Sequence, residues 1–312
     1  MLARFFNKSE PLSFISLIFL LFIYVIIWLL VGVKETISFN NVMSAAGLFF
    51  FFLSLLFIVE FIIRKNSLTP LNYYASFIFV ILIGLFPTVI NFSNISISNI
   101  FILLALRRIY SVRTKKETLK KLYDSGFYVG IAFLLYPITI IYFTLIYVSY
   151  FIYLKIINKQ LILPVLGFLT PLLIVFTYYF IFDDLNSFIT LVEINVGFDY
   201  HEYLSINFYI PILFILFVVL WAFVIVFLKR NSLGREGKNS LNLVIGHLLL
   251  TLVLINSHNL EIRNSIQFLF FPISIVIGNL LSLNNNNWIK NTLLYSLLVF
   301  SLVLLSIYPK YL

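Results

Sequence analysis

A succession of uninterrupted apolar runs, each about 20 residues long and divided by short charged breaks, limits what this chain can fold into. The first covers Leu12 to Val33, and others cover 43–63, 70–90, 95–112, 123–136, 138–154, 161–182, 208–228, 240–257, 264–282 and 289–307. A helix of about 20 apolar residues spans the hydrocarbon of a bilayer. A membrane strand would alternate polar and apolar residues with period two, and these runs are continuous. Charged residues make up only 11% of the chain, against about 25% in soluble domains, so lipid must be the solvent of most of the surface. The expected fold is all-α: a polytopic transmembrane helical bundle of about eleven helices, or ten if one pair fuses, forming a single transmembrane domain over residues 1–312. The first run is too long for a signal-peptide core and lacks a small-residue cleavage site, so it is expected to stay as the first span.

The pair that could fuse is 123–136 and 138–154, divided by Pro137. Lys and Arg gather in cytoplasmic loops. With two helices here and a cytoplasmic N-terminus, 18 of the 21 basic residues fall inside, and only Lys34, Arg263 and Lys310 fall outside. One fused helix would flip every later loop and expel Lys155, Lys159, Lys229, Arg230, Arg235, Lys238 and Lys290. Two helices hinged near Pro137 are therefore expected. The acids lean the other way, with Glu35, Asp183, Asp184, Glu193, Asp199, Glu202 and Glu261 all outside. The net charge of +9 thus reflects orientation in the membrane and attraction to anionic lipid at the cytoplasmic face; a nucleic-acid partner is not expected. The absence of cysteine removes disulfides, thiol catalysis and thiolate metal sites, and leaves the redox compartment open.

Two segments read as lying on the membrane rather than crossing it. In the basic stretch 107–122, Ile109, Val112 and Leu119 recur at helical spacing with cations between them, which predicts an interfacial helix. In the outer segment 183–207, Leu185, Phe188, Ile189, Val192 and Val196 follow helical spacing, and Asp183 or Asp184 can cap the start. No internal repeat and no flexible linker is visible.

The chemistry available lies mainly in the outer loops. Asp199, His201 and Glu202 share one turn, His258 and Glu261 are three apart with Arg263 close behind, and Glu35 stands in the first outer loop. A carboxylate beside a histidine can act as a base or hold a divalent cation, although solvated loops carry such residues without function. Glu60 and His247 fall inside spans, where an ionisable group is costly and a functional candidate by default. An ion pair with Arg64, four residues on, accounts for Glu60. For His247 a neutral imidazole bonding across helices outweighs a proton relay. No phosphate loop or nucleotide fingerprint is present, so no nucleotide cofactor is expected.

Two stretches resemble the GT-C superfamily of polytopic glycosyltransferases. YDSGFYVGIAFLLYPITIIYFTLIYVSYFIYLKIINKQLILPVLGFLTPLLIVFTYYF, from Tyr123 to Phe180, is similar to their short glycine-bearing helix, second helix, basic link and third helix. SHNLEIRNSIQFLFFPISIVIGNLL, from Ser257 to Leu281, is similar to their late segment, where an outer-edge Arg precedes an apolar helix bearing a proline. The whole chain also resembles a family of bacterial inner-membrane proteins of about this length. The resemblance implies a multi-pass protein of the bacterial cytoplasmic membrane acting on a polyprenyl-phosphate-linked glycan at the outer face. It assigns Arg263 to the lipid phosphate, with His258, Glu261, His201 and Glu202 as the neighbouring substrate-binding candidates. GT-C enzymes keep an acidic pair in the first outer loop; here KETISFNNVMSA offers only Glu35, so Glu35 is the one candidate catalytic acid. Two other readings stay open: a non-catalytic subunit that scaffolds membrane proteins, and a secondary transporter.

Overall fold

The computed structural model describes residues 1–32, 38–154, 159–194, 206–229, 234–256 and 262–307, all in helices and the turns between them. Among the described residues, eight helical segments are long and apolar enough to cross a membrane: Pro11–Val31, Phe39–Asn66, Asn94–Thr114, Gln160–Ile181, Tyr209–Leu228, Glu236–Asn256, Arg263–Leu283 and Asn287–Ile307. Tyr74–Leu85 and Pro137–Tyr153 are shorter apolar helices. The chain gathers into two compact units: Met1–Phe92, Tyr200–Leu233 and Leu269–Leu312 in the first, Ser93–Asp199 and Gly234–Phe268 in the second. Each unit is assembled from separated stretches, which is why no linker marks a boundary.

The first unit contains α1 (Leu2–Phe6), α2 (Pro11–Gly32), α3 (Phe39–Asn66) and α4 (Tyr74–Leu85) from the first third of the chain. To these it adds α10 (Ile206–Leu228), α13 (Phe270–Leu283) and α14 (Asn287–Ile307). Every residue of α4 is buried, so this 12-residue helix, about 18 Å long, is the axis of the unit. Pro87 ends it: Phe86, forced out of the α region by the following proline, sits at φ −122° and ψ 74°. Small residues let the neighbours close in. A Cβ on Gly278 of α13 would meet Ala75 at 2.9 Å, and one on Gly84 would meet the Tyr24 ring at 2.6 Å. Tyr24 of α2 in turn shares a 2.5 Å hydrogen bond with Ser301 of α14.

The intramembrane carboxylate of this unit has a structural role. Glu60 is buried; it pairs with Arg64 one turn along α3 and accepts from the Ser76 hydroxyl of α4. Arg64 then lies 4.5 Å over the Tyr73 ring. The pairing with Arg64 that the spacing foretold is present, and Ser76 adds a cross-helix partner. The helix end is a left-handed C-cap at Ser67 (φ 49°), with Leu68 N–H donating 3.1 Å to Ile63 O, the six-to-one bond of a Schellman motif.

The second unit contains α5 (Asn94–Ser111), α6 (Thr118–Leu135), α7 (Tyr142–Tyr153), α8 (Leu163–Ile181), α9 (Leu185–Val192), α11 (Arg235–Asn256) and α12 (Ile262–Ser265). Residues 123–154 do form two helices. Tyr136 is extended at φ −151°, Pro137 opens a 3-10 turn through Ile141, and α7 follows. The basic stretch differs from expectation, because it is not one interfacial helix. α5 runs on to Ser111, a 3-10 turn covers Val112–Thr114, and α6 starts at Thr118. Lys115 and Glu117 adopt positive φ, 55° and 48°, a region that side chains other than Gly enter rarely. The buried Lys121 ammonium holds the turn, donating 2.7 Å to Ser111 O and 2.6 Å to Thr114 Oγ1. Arg108 and Asp124 pair at 2.8 Å across the same turn. Within the amphipathic segment, α9 is helical and capped by Asp184 accepting from Ser187 N–H, with Phe188 against Phe176 and Tyr179 of α8.

Between α6 and α8 lies the most extensive helix contact of this unit. The buried residues of α8 are Pro164, Gly167 and Pro171, three and four apart and so on one face. They meet Gly126 and Gly130 of α6, the close-packing GxxxG spacing of membrane helices. A Cβ on Gly126 would overlap the Pro164 carbonyl, and one on Gly167 would overlap that of Tyr123. Tyr123 and Thr170 share a 2.9 Å hydrogen bond beside this crossing.

Candidate functional site

In the second unit two polar clusters lie toward opposite ends of α11, with buried aromatic rings between them. At one end α11 finishes, α5 starts, and α12 packs against both. Ser93 caps α5 by accepting from Ser96 N–H at 3.2 Å. Gln267, just beyond α12 and only 2% exposed, donates 3.3 Å to Ser96 Oγ and 3.0 Å to Asn264 O. Asn99, one turn into α5, donates 3.4 Å to the Gln267 side-chain oxygen. Buried amides in a membrane bundle need such partners, and this network fixes the turn bearing Arg263. Arg263 itself is half-buried, and its Nε is shielded from solvent.

Below this network the lining turns aromatic. Phe268 stacks on Tyr136 at 6.1 Å, with ring planes 7° apart, and tilts against Tyr142 at 6.1 Å. Tyr142 meets the His247 ring edge-on at 5.5 Å. At the opposite end, Tyr153 and Ser240 hydroxyls lie 3.3 Å apart, near Arg113 and Glu236, themselves 3.8 Å apart.

Of the residues singled out from the sequence, the structure places Arg263 in this arrangement. Glu35, His201, Glu202, His258 and Glu261 lie outside the described residues, as do Asp199 and Val196. Among the described residues no group of three His, Asp or Glu side chains could hold a metal ion. Gln267, Asn99 and Ser96 were not anticipated. The available signal was an amide interrupting an apolar run at 267, and Ser96 and Asn99 at i, i+3 on one face of α5. Their pairing, across 171 and 168 positions of sequence, was not readable.

An all-α chain with eight described helices long and apolar enough to cross a bilayer is a multi-pass membrane protein. It belongs to the family of unknown function DUF6427, whose pattern matches residues 6–311. No curated protein and no solved structure matches it significantly.

Proposed function

We propose that this is an inner-membrane protein of GT-C-like build, with about eleven spans and a cytoplasmic N-terminus, that binds a polyprenyl-phosphate-linked glycan at its outer face. The observation that carries this reading is Arg263. It sits at the end of unit 2 away from the basic turn 112–117, half-buried, on a turn tied down by Gln267, Asn99 and Ser96. A guanidinium can hold a phosphate through two parallel hydrogen bonds, and immobilising its turn lowers the cost of ordering it on binding. The amphipathic α9 fits a helix lying in the outer interface. Glu35 is the acid that the resemblance assigns to catalysis; His258, Glu261, His201 and Glu202 complete the outer-loop set. At the cytoplasmic face, the exposed Lys115, Lys116 and Lys120 would meet anionic headgroups.

Retention of a labelled polyprenyl-phosphate sugar by the purified protein in nanodiscs tests this. Arg263→Ala should weaken binding by about 10- to 100-fold, the loss of a charge-assisted hydrogen-bond pair. Arg263→Lys should fall between, since lysine keeps the charge and lacks the fork. A neutral polyprenol should not distinguish the variants. Equal retention of the phosphate by wild type and Arg263→Ala would remove the reading.

A scaffolding subunit is the second reading. Only 17% of the residues in the most apolar stretch of Gln160–Ile181 and 28% of those in Tyr209–Leu228 are buried, against 83% for Arg263–Leu283, so much of α8 and α10 is left to lipid or to a partner helix.

A further inference from the structure

The Arg263 reading rests on unit 2 and leaves unused a lysine buried in unit 1. The inward stripe of α14 is Lys290, Leu293, Leu294, Leu297, Ser301 and Leu305, a spacing that keeps them on one face. Lys290 is 7% exposed and stands where one more leucine would continue the stripe. Its ammonium lies 5.6 Å over the Tyr74 ring of α4. The Tyr74 hydroxyl is already spent on the Ala3 carbonyl, at 2.5 Å. The neighbouring Asn291 side-chain oxygen is spent on Ala3 N–H, at 2.9 Å. A ring face offsets part of the cost of burying a cation but supplies no net negative charge. The described carboxylates of unit 1 are Glu10 and Glu60, and these pair with Lys8 and Arg64. Arg4 and Lys65, at the same end of the unit, are exposed cations. A buried charge without a counter-charge is costly, and here no described residue of the unit supplies one.

We propose that Lys290 binds a phosphate group, presented by a phospholipid headgroup or free in solution. An ammonium offers three donors to phosphate oxygens, and partial burial makes their attraction stronger than it would be in water. Trp288, two residues earlier and 74% exposed, is of the type that gathers at headgroup depth, so the first turn of α14 lies where phosphates are dense. Asn286 caps that turn by accepting from Trp288 N–H at 2.9 Å, so the ammonium rather than the helix end supplies the attraction. The surplus of cations at this end of unit 1 favours an anion there. The proposal stands apart from Arg263: either site can fail while the other holds.

The test uses the full chain, purified in detergent and stripped of lipid. Lys290→Met removes the charge and continues the apolar stripe at similar length; Lys290→Gln carries the comparison if the methionine variant does not express. Native mass spectrometry after incubation with phosphatidylglycerol should show wild type holding a lipid about tenfold more tightly than the variant. Dioleoylglycerol, which lacks the phosphate, should not separate the two. Phosphatidylglycerol should also raise the Tm of wild type more than that of the variant. If inorganic phosphate produces that difference and displaces the lipid, free phosphate is the source; if only phosphatidylglycerol does, the lipid is. Either outcome upholds the proposal. Equal responses of wild type and variant to both probes overturn it.

Discussion

Leucine at Gly126 should abolish the folded, monodisperse protein recovered from membranes. The face of α8 that unit 2 buries is the stripe Pro164, Gly167 and Pro171, and Gly126 lies against the Pro164 carbonyl so closely that even a Cβ has no room. In lipid no hydrophobic force returns separated helices to one another, so close backbone approach is what holds them. Overpacking a core costs about 1–3 kcal/mol when side chains can yield; here the obstacle is backbone, and the crossing must open. Alanine at 126 should give a smaller effect of the same sign, seen as a lower Tm in detergent. Gly130, where a Cβ would meet Phe168 O at 2.6 Å and Pro171 Cγ at 2.7 Å, should follow the same order. Size-exclusion recovery and Tm of Gly126→Leu matching wild type would contradict the packing described for α6 and α8.

Replacing Glu60 with leucine should lower stability by about 3 kcal/mol, the low end for a broken buried pair. The reason for the low end is that the Arg64 side chain is 39% exposed and can swing toward water, whereas Ser76 is buried and loses its acceptor. The double variant Glu60→Leu with Arg64→Leu should recover much of the loss, since an apolar pair of similar volume commonly replaces a buried ion pair without penalty. Denaturation in a fixed detergent measures both. A double variant less stable than the single one would mean that Arg64 has a partner more important than Glu60.

What was legible in the sequence follows from where local rules suffice. Pro137 announces its break because a proline constrains the residue before it, and the loop charges made the same division. A cap at Asp183 or Asp184 was readable because capping needs only three neighbouring residues; the choice of Asp184 came from the structure. The turn at 112–117 was not readable. Apolar residues at helical spacing on both sides of it mimic one helix, and the left-handed residues are Lys115 and Glu117 rather than the glycine that would announce them. Glu60 was half-readable: Arg64 lies on the same helix, while Ser76 comes from the next one. The division into two units is set by long-range packing of chain-distant helices, and no linker records it. Arg263 was singled out because the expected topology leaves few cations on the outer face; the amides that hold its turn come from two distant stretches and show only in the fold.

The account rests most heavily on Arg263 facing outward, and the chain contains no cysteine, so introduced cysteines report without background. In intact cells, Asn256→Cys, exposed where α11 ends, should react with a membrane-impermeant maleimide, and Asn158→Cys should react only after the membrane is opened. Labelling of Asn158→Cys in intact cells, with Asn256→Cys protected, would turn every segment after α7 over and place Arg263 in the cytoplasm, where an outer-face lipid phosphate cannot reach it.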